Sequence, residues 1–321
     1  MGKIKIMDYD VGCGGFSKGF VDTDKFKVVN NMWVNDQNSF TYQHLYPGID
    51  FSDKEEENID LFSFTPDVGH SFSRRGTKNF DFSPIQKLCK DIVSNKNILN
   101  AFIVLPNEAY PLYQDRSYFS YDSDGNPAID FIIYYFRKNG YNIHHHVFDG
   151  ADFGTPQHRF LNLYWISADI HEDINIYGEY GIHKKSYSSV CSFIKDITDE
   201  TLLSWHNPNY KYKNECSLVK PGSNAKKTED LNKNKGYLRF EGDKFSKSLD
   251  KKFYLTTSTG PCIQPYYDRP ITIREGARLF GLGDEFDWEP KISKSKVGLM
   301  ITESFTPIVS KKIAEDLLKF Y

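Results

Sequence analysis

Between residues 8 and 20 the chain reads Asp8-Tyr9-Asp10-Val11-Gly12-Cys13-Gly14-Gly15-Phe16-Ser17-Lys18-Gly19-Phe20. Glycines clustered where a strand gives way to a helix let a ligand come close to the backbone. They also serve tight turns and close helix packing. A second group is His144-His145-His146. On a strand, His144 and His146 share a face and have metal-ligand chemistry, but the spacing places no third ligand. We read them as a satisfied strand-end cluster, with no metal. The five cysteines are scattered, odd in number and without a C-x-x-C pair, which excludes a disulfide framework and a zinc ribbon. Cys89 falls in a helical pattern and reads as a small buried apolar side chain. Thr272-Ile273-Arg274-Glu275 has capping-box spacing, in which the Thr272 hydroxyl accepts from the Glu275 N–H and the Glu275 side chain reaches back.

The elements that must hold these residues follow from the apolar pattern. Strands are predicted over 3–10, 26–34, 59–64, 101–105, 143–148 and 161–166. Helices are predicted near 38–45, 83–95 and 128–139, with a last one over about 307–320. Strand and helix alternating at this spacing means a doubly wound, mostly parallel α/β sheet. The composition shifts near residue 170. Residues 206–252 hold 12 Lys/Arg against 6 Asp/Glu, although the whole chain carries a net charge of −3. That stretch is rich in turn residues and reads as an inserted, loop-rich basic module, although lysine-rich loops are also ordinary solvated surface. The predicted organisation is one domain over 1–170 completed by 265–321, with a smaller domain over 171–264.

At 321 residues, 39% of them hydrophobic, the chain has enough apolar material for a sizeable core, which excludes wholesale disorder. No apolar run approaches the ~18 residues of a membrane span. The N-terminus reads directly into a strand without a signal core, and Ile6 stands where myristoylation of Gly2 would want Ser or Thr. With its free cysteines, this is the expectation for an intracellular, cytoplasmic protein that meets no membrane.

The glycine cluster resembles the opening motif of the cytosine-C5 DNA methyltransferases, Asp-Leu-Phe-Ser-Gly-Cys-Gly-Gly-Leu-Ser-x-Gly-Phe. Further motifs of that family occur in order. Gly154-Thr155-Pro156-Gln157-His158-Arg159 resembles Gly-Val-Pro-Gln-x-Arg. Tyr237-Leu238-Arg239-Phe240 and Thr256-Thr257-Ser258 resemble Tyr-x-Arg-Leu and Thr-Ile-Thr-Thr. The run from Arg269 to Gly281 resembles Arg-x-Leu-Thr-x-Arg-Glu-Ala-Ala-Arg-Leu-Gln-Gly, and Asp284-Glu285-Phe286 continues it. Val297-Gly298 begins a worn last motif. The resemblance implies the S-adenosylmethionine-dependent methyltransferase fold, with residues 171–264 as a target-recognition-like domain.

It also implies which residues should react, and several are missing. In the family a cysteine thiolate attacks C6 of a flipped cytosine, because only the covalent adduct makes C5 nucleophilic enough to take a methyl group. That cysteine comes after a proline at a strand end. Here the stretch is Thr65-Pro66-Asp67-Val68-Gly69-His70-Ser71-Phe72-Ser73, which puts Val68, or in a shorter alignment Asp67, at the nucleophile. The family glutamate of Glu-Asn-Val aligns with Pro106, which offers neither proton nor side-chain acceptor. Glu108 lies two residues on, but such a slip from a strand end would point its side chain elsewhere, so it is not taken as a substitute. Gln157 and Arg159 are retained, while a second arginine is replaced by Leu161.

In the cofactor motifs, Asp10 replaces an aromatic residue, Trp33 replaces the acid that binds ribose hydroxyls, and Leu299 replaces an asparagine, while Gly12, Gly14 and Gly15 remain. Asn35-Asp36 is a nearby alternative acid. The resemblance therefore implies either a member without catalysis or cofactor, kept for DNA binding or as a partner subunit, or an active S-adenosylmethionine-dependent methyltransferase with relocated groups or one completed by another subunit. An active methyltransferase is one kind of partner it would join, in a setting such as restriction–modification. A third reading is an interaction protein that binds no nucleic acid. For DNA, the candidates are Arg74, Arg75, Arg159, Lys226, Lys227, Lys233, Lys235 and Arg239, whose side chains suit phosphates.

Overall fold

The computed structural model describes residues 2–9, 12–32, 36–49, 51, 59–64, 83–94, 100–105, 128–156, 159–168, 173–180, 185, 188–211, 213–220, 224–225, 237–239, 262–302 and 304–321. The first half alternates strand and helix: β1 (Ile4–Tyr9), α1 (Gly15–Val21), β2 (Phe26–Met32), α2 (Asp36–Leu45), β3 (Leu61–Phe64), α3 (Ser83–Ser94), β4 (Asn100–Leu105), α4 (Ala128–Lys138), β5 (Asn142–Asp149) and β6 (Phe160–Ser167). Then come α5 (Cys191–Ile194), α6 (Lys213–Ser217), β7 (Asn224–Ala225), β8 (Tyr237–Arg239), β9 (Cys262–Ile263), α7 (Ile273–Leu279), α8 (Lys294–Thr302) and α9 (Pro307–Leu317).

The six-stranded sheet has the order β2-β1-β3-β4-β6-β5. The β1–β2, β1–β3 and β3–β4 pairs are parallel, while β6 runs antiparallel to both β4 and β5. Both faces of the central strands are buried. Ile6, Leu61, Phe102 and Trp165 pack against Phe16 and Phe20 of α1 and Val309, Ile313 and Leu317 of α9. Met7, Phe62, Ile103 and Tyr164 pack against Cys89 and Ile92 of α3 and Ile132 and Phe136 of α4. This is the two-sided burial that a parallel, doubly wound sheet requires. A three-stranded sheet, β7-β8-β9, is formed by the later residues. Among the described residues, no helix is long and apolar enough to cross a membrane.

The element boundaries match the apolar pattern to within two residues for the six main strands. One segment differs. The worn last motif that begins at Val297-Gly298 carries no predicted element, yet Lys294–Thr302 is a helix. The cause is the buried face of Val297, Met300 and Ile301, three and four residues apart, which packs on Phe280, Phe286 and Trp288.

Candidate functional site

The parallel strands β1, β3 and β4 point their carboxyl ends to one edge of the sheet, the position of ligand crevices in open α/β folds. The glycine-rich turn leaves β1 there. Gly12 (φ 58°) and Gly14 (φ 87°) take left-handed conformations, and Gly14 caps α1. The Tyr46 hydroxyl donates to the Gly14 carbonyl at 2.8 Å. A Cβ on Gly14 would lie 3.3–3.4 Å from Leu45, Tyr46 and Tyr42, and one on Gly15 would meet the Phe305 carbonyl at 2.1 Å. These glycines thus let the turn seat on α2 and let α1 close on the segment entering α9. The resemblance would place S-adenosylmethionine here; Asp10 and Trp33, two of the positions it would meet, lie outside the described residues. The space that Gly14 and Gly15 leave is filled by the chain's own rings and backbone.

Asp8 lies beneath the turn with no exposed surface. The Ser17 hydroxyl donates to its Oδ1 at 2.7 Å, the Ser63 hydroxyl to the same oxygen, and the Tyr42 hydroxyl to Oδ2 at 3.2 Å. Burial pushes its carboxyl up to about 6, against the three hydroxyl bonds that favour the ionised form. Cys13 of the turn is buried, its Sγ 3.7 Å from the Met300 carbonyl.

Arg159 is retained at the family position but turns inward, with 8% of its surface exposed. One Nη donates to the carbonyls of Thr302, at 2.8 Å, and Ser304, and the guanidinium lies 4.6 Å from the Phe280 ring centre. Burial pushes its pKa down to about 9, with Cys13 acting in the opposite sense. The Asp149 carboxylate sets the approach: it accepts from the backbone N–H of Ala151 and of Arg159, closing the excursion between β5 and β6. The sequence expectation places this guanidinium at a base or phosphate, whereas here it ties the β5–β6 connection to the end of α8.

The Arg-Glu-x-Ala-Arg-Leu helix, α7, begins with the capping box read from sequence: Glu275 N–H to Thr272 Oγ1 at 3.2 Å and Thr272 N–H to Glu275 Oε2 at 2.7 Å. Arg269 adds a layer that the spacing did not reveal. It forks onto both Glu275 oxygens at 2.8 and 3.0 Å and donates from Nε to Asp199 at 2.7 Å. Arg274 donates to the carbonyls of Ser204 and Gly283, and Arg278 pairs with Asp196 and Asp284. Three arginines therefore fasten the 193–204 segment to α7.

The histidine cluster expected to be satisfied is only partly so, since the buried His144 Nε2 has no hydrogen-bond partner. His146 Nε2 lies 2.9 Å and His144 Nδ1 3.4 Å from Asp173 Oδ1, while His145 stacks on Tyr164 and pairs with Asn162. Among the described residues, no three His, Cys, Asp or Glu side chains form a metal-holding group. Cys89 is buried in α3, and burial pushes its thiol up to about 12, which disfavours the thiolate.

Asp10, Trp33, Val68, Arg74, Arg75, Pro106, Gln157, Lys226, Lys227, Lys233 and Lys235 lie outside the described residues. Leu299 is placed within α8 and Arg239 within β8 by their backbones alone.

Comparison with known proteins agrees with this architecture. The family model for C-5 cytosine-specific DNA methylase matches residues 121–319. No curated protein sequence matches the chain. Among solved structures, the fold is similar to that of a DNA modification methyltransferase encoded within an E. coli prophage, with TM-score 0.67, 16% identity and 99% of each chain covered. It is also similar to the S. pombe Dnmt2 methyltransferase, with TM-score 0.65, 14% identity and 99% of each chain covered. The Entamoeba histolytica methyltransferase EhMeth gives TM-score 0.64 and 11% identity over 100% of this chain and 99% of that one.

Proposed function

The chain belongs to the C-5 cytosine-specific DNA methylase family, and from that membership we propose that it is a DNA-binding member without methyl-transfer chemistry, acting alone or as a partner subunit. The observation that carries this reading is the residue types just past the ends of β3 and β4. These strands end at Phe64 and Leu105, and the motif positions beyond them hold Val68 (or Asp67) and Pro106. Neither Val nor Asp supplies a thiolate, and proline has no acid to set against N3 of a cytosine. Residues 171–264 are the target-recognition-like domain of this reading, with the basic stretch as its DNA face.

Loss of the cofactor accompanies loss of the chemistry. Asp10 and Trp33 stand where the family has an aromatic ring and a ribose-binding acid, and packing accounts for Gly14 and Gly15. We expect calorimetric titration with S-adenosylmethionine to show no binding in the low-micromolar range, about −8 kcal/mol. The decisive experiment is a covalent trap. DNA carrying 5-fluorocytosine is mixed with the protein and S-adenosylmethionine, then denatured. No protein–DNA adduct is expected; a denaturation-resistant adduct would return the protein to the active methyltransferases.

A further inference from the structure

Asp8 is a buried acid to which DNA binding gives no role. Its two oxygens accept hydroxyl hydrogens from three separate elements: Ser17 in α1, Ser63 in β3 and Tyr42 in α2. One helical turn beyond Tyr42, Tyr46 holds the Gly14 carbonyl of the turn itself. The carboxylate is thus the point where the first helix, the second helix and the third strand meet beneath the glycine-rich turn.

The charge at this point is poorly compensated. Among the described residues, no cation hydrogen-bonds to Asp8. The titratable groups coupled to it are Tyr42 and Tyr46 from α2, whose hydroxyls burial holds well above their ordinary range. These are neutral at pH 7. The charged groups acting on Tyr46 from farther out, Asp22 and Glu285, are also acids. An ionised carboxylate held here by hydroxyl dipoles alone carries a desolvation cost that the neutral acid does not. The neutral acid can also donate its own O–H to the Tyr42 oxygen, which lies 3.2 Å away.

We infer that Asp8 is the positioning residue of the glycine-rich turn and makes it a proton-sensitive joint, locked to α1, α2 and β3 when Asp8 is protonated and loosened when it ionises. The joint stands whether or not the strand-end crevice takes a ligand.

The test is amide hydrogen exchange of residues 12–20 in the full chain between pH 4.5 and 7.5, corrected for the intrinsic pH dependence. The closed state binds the Asp8 proton more tightly than the opened one, so opening becomes easier as pH rises. The opening constant should climb by up to about tenfold per pH unit and level off above about pH 6. Asp8→Asn should abolish the climb. Ser63→Ala and Tyr42→Phe each remove a donor to the ionised form and should move the levelling-off to higher pH. A flat wild-type profile, or an Asp8→Asn protein with the wild-type profile, overturns the inference. Should Asp8→Asn not fold, the two hydroxyl variants decide: unshifted profiles in both overturn it.

Discussion

Arg159 donates to two carbonyls and covers a phenylalanine ring, all inside the protein. The Thr302 and Ser304 carbonyls are 143 and 145 residues away in sequence, so no motif reading of Gly154–Arg159 gives the direction the side chain faces. Its removal leaves both acceptors without this donor. Hydrogen bonds to charged groups are each worth about 1.5–3 kcal/mol, so Arg159→Met should lower stability by roughly 3 kcal/mol in urea titration. Unchanged stability with weakened DNA binding would mean that the guanidinium serves DNA, as the sequence expectation has it. The histidines yield a pH prediction at the same scale. Burial lowers the pKa of both His145 and His146, with their hydrogen bonds to Asn162 and Asp173 opposing it. The unfolded chain then binds more protons than the folded one below about pH 6.5, so this contribution to stability is lost as pH falls. Asp8, raised by burial, acts in the opposite sense: its folded form gains protons first, and stability rises as pH falls from about 6 towards 4. Asp8→Asn should therefore steepen the acid loss, and His146→Asn should flatten it. Thermal midpoints measured from pH 7.5 to 5 test both signs.

At the scale of elements, α7 and its arginines are the fastening between the sheet domain and the chain around 193–204. Arg269 and Glu275 are both fully buried and doubly hydrogen-bonded to one another. Breaking such a pair from one side costs about 3–5 kcal/mol, because the surviving charge stays buried, whereas losing only the cap hydroxyl costs about 1 kcal/mol. Glu275→Ala should therefore destabilise several times more than Thr272→Ala, and only the former should expose 193–204 to limited proteolysis. Equal effects would mean that the cap, not the ion pair, holds the junction. The cap was legible because its partners are three residues apart. The Arg269–Asp199 bond was not, because its partners are 70 residues apart. The same contrast runs through the fold. The strands of the main sheet were legible because burial on both faces leaves continuous apolar runs, as in Leu61–Phe64. Helix α8 was missed because its buried face is only three side chains wide and its sequence falls in the worn last motif, to which no element was assigned. The Asp8 junction was missed because its donors sit 9, 34 and 55 positions away. Motif identity located the turn, while its packing partners could be found only in three dimensions.

For the whole molecule, a net charge of −3 gives no overall field to draw it onto a polyanion, so DNA binding needs a local basic face. Residues 206–252, with 12 Lys and Arg against 6 Asp and Glu, are the candidate stretch against an acidic remainder. Arg239 of this stretch lies in β8, in the three-stranded sheet that also contains β9. That sheet leads into Arg269 and α7, since Ile263 bridges to Pro270. A face built on it would be anchored to the main domain through the buried Arg269–Glu275 pair. In the family the loop after the nucleophile closes over the target strand; Arg74 and Arg75 fall in that stretch of this sequence and would add phosphate contacts from the other side. Two predictions separate this arrangement from a solvated lysine loop. Affinity for duplex DNA should fall with salt at about −0.9 in log–log slope per phosphate contacted. Reversing both arginines, Arg74→Glu with Arg75→Glu, should weaken binding and flatten that slope by about two contacts, roughly 1.8. The folded fraction of this double variant is checked by its thermal midpoint. Unchanged affinity and slope would remove these arginines from the DNA face, and no binding at ~50 mM salt would leave a role in protein assembly as the better account.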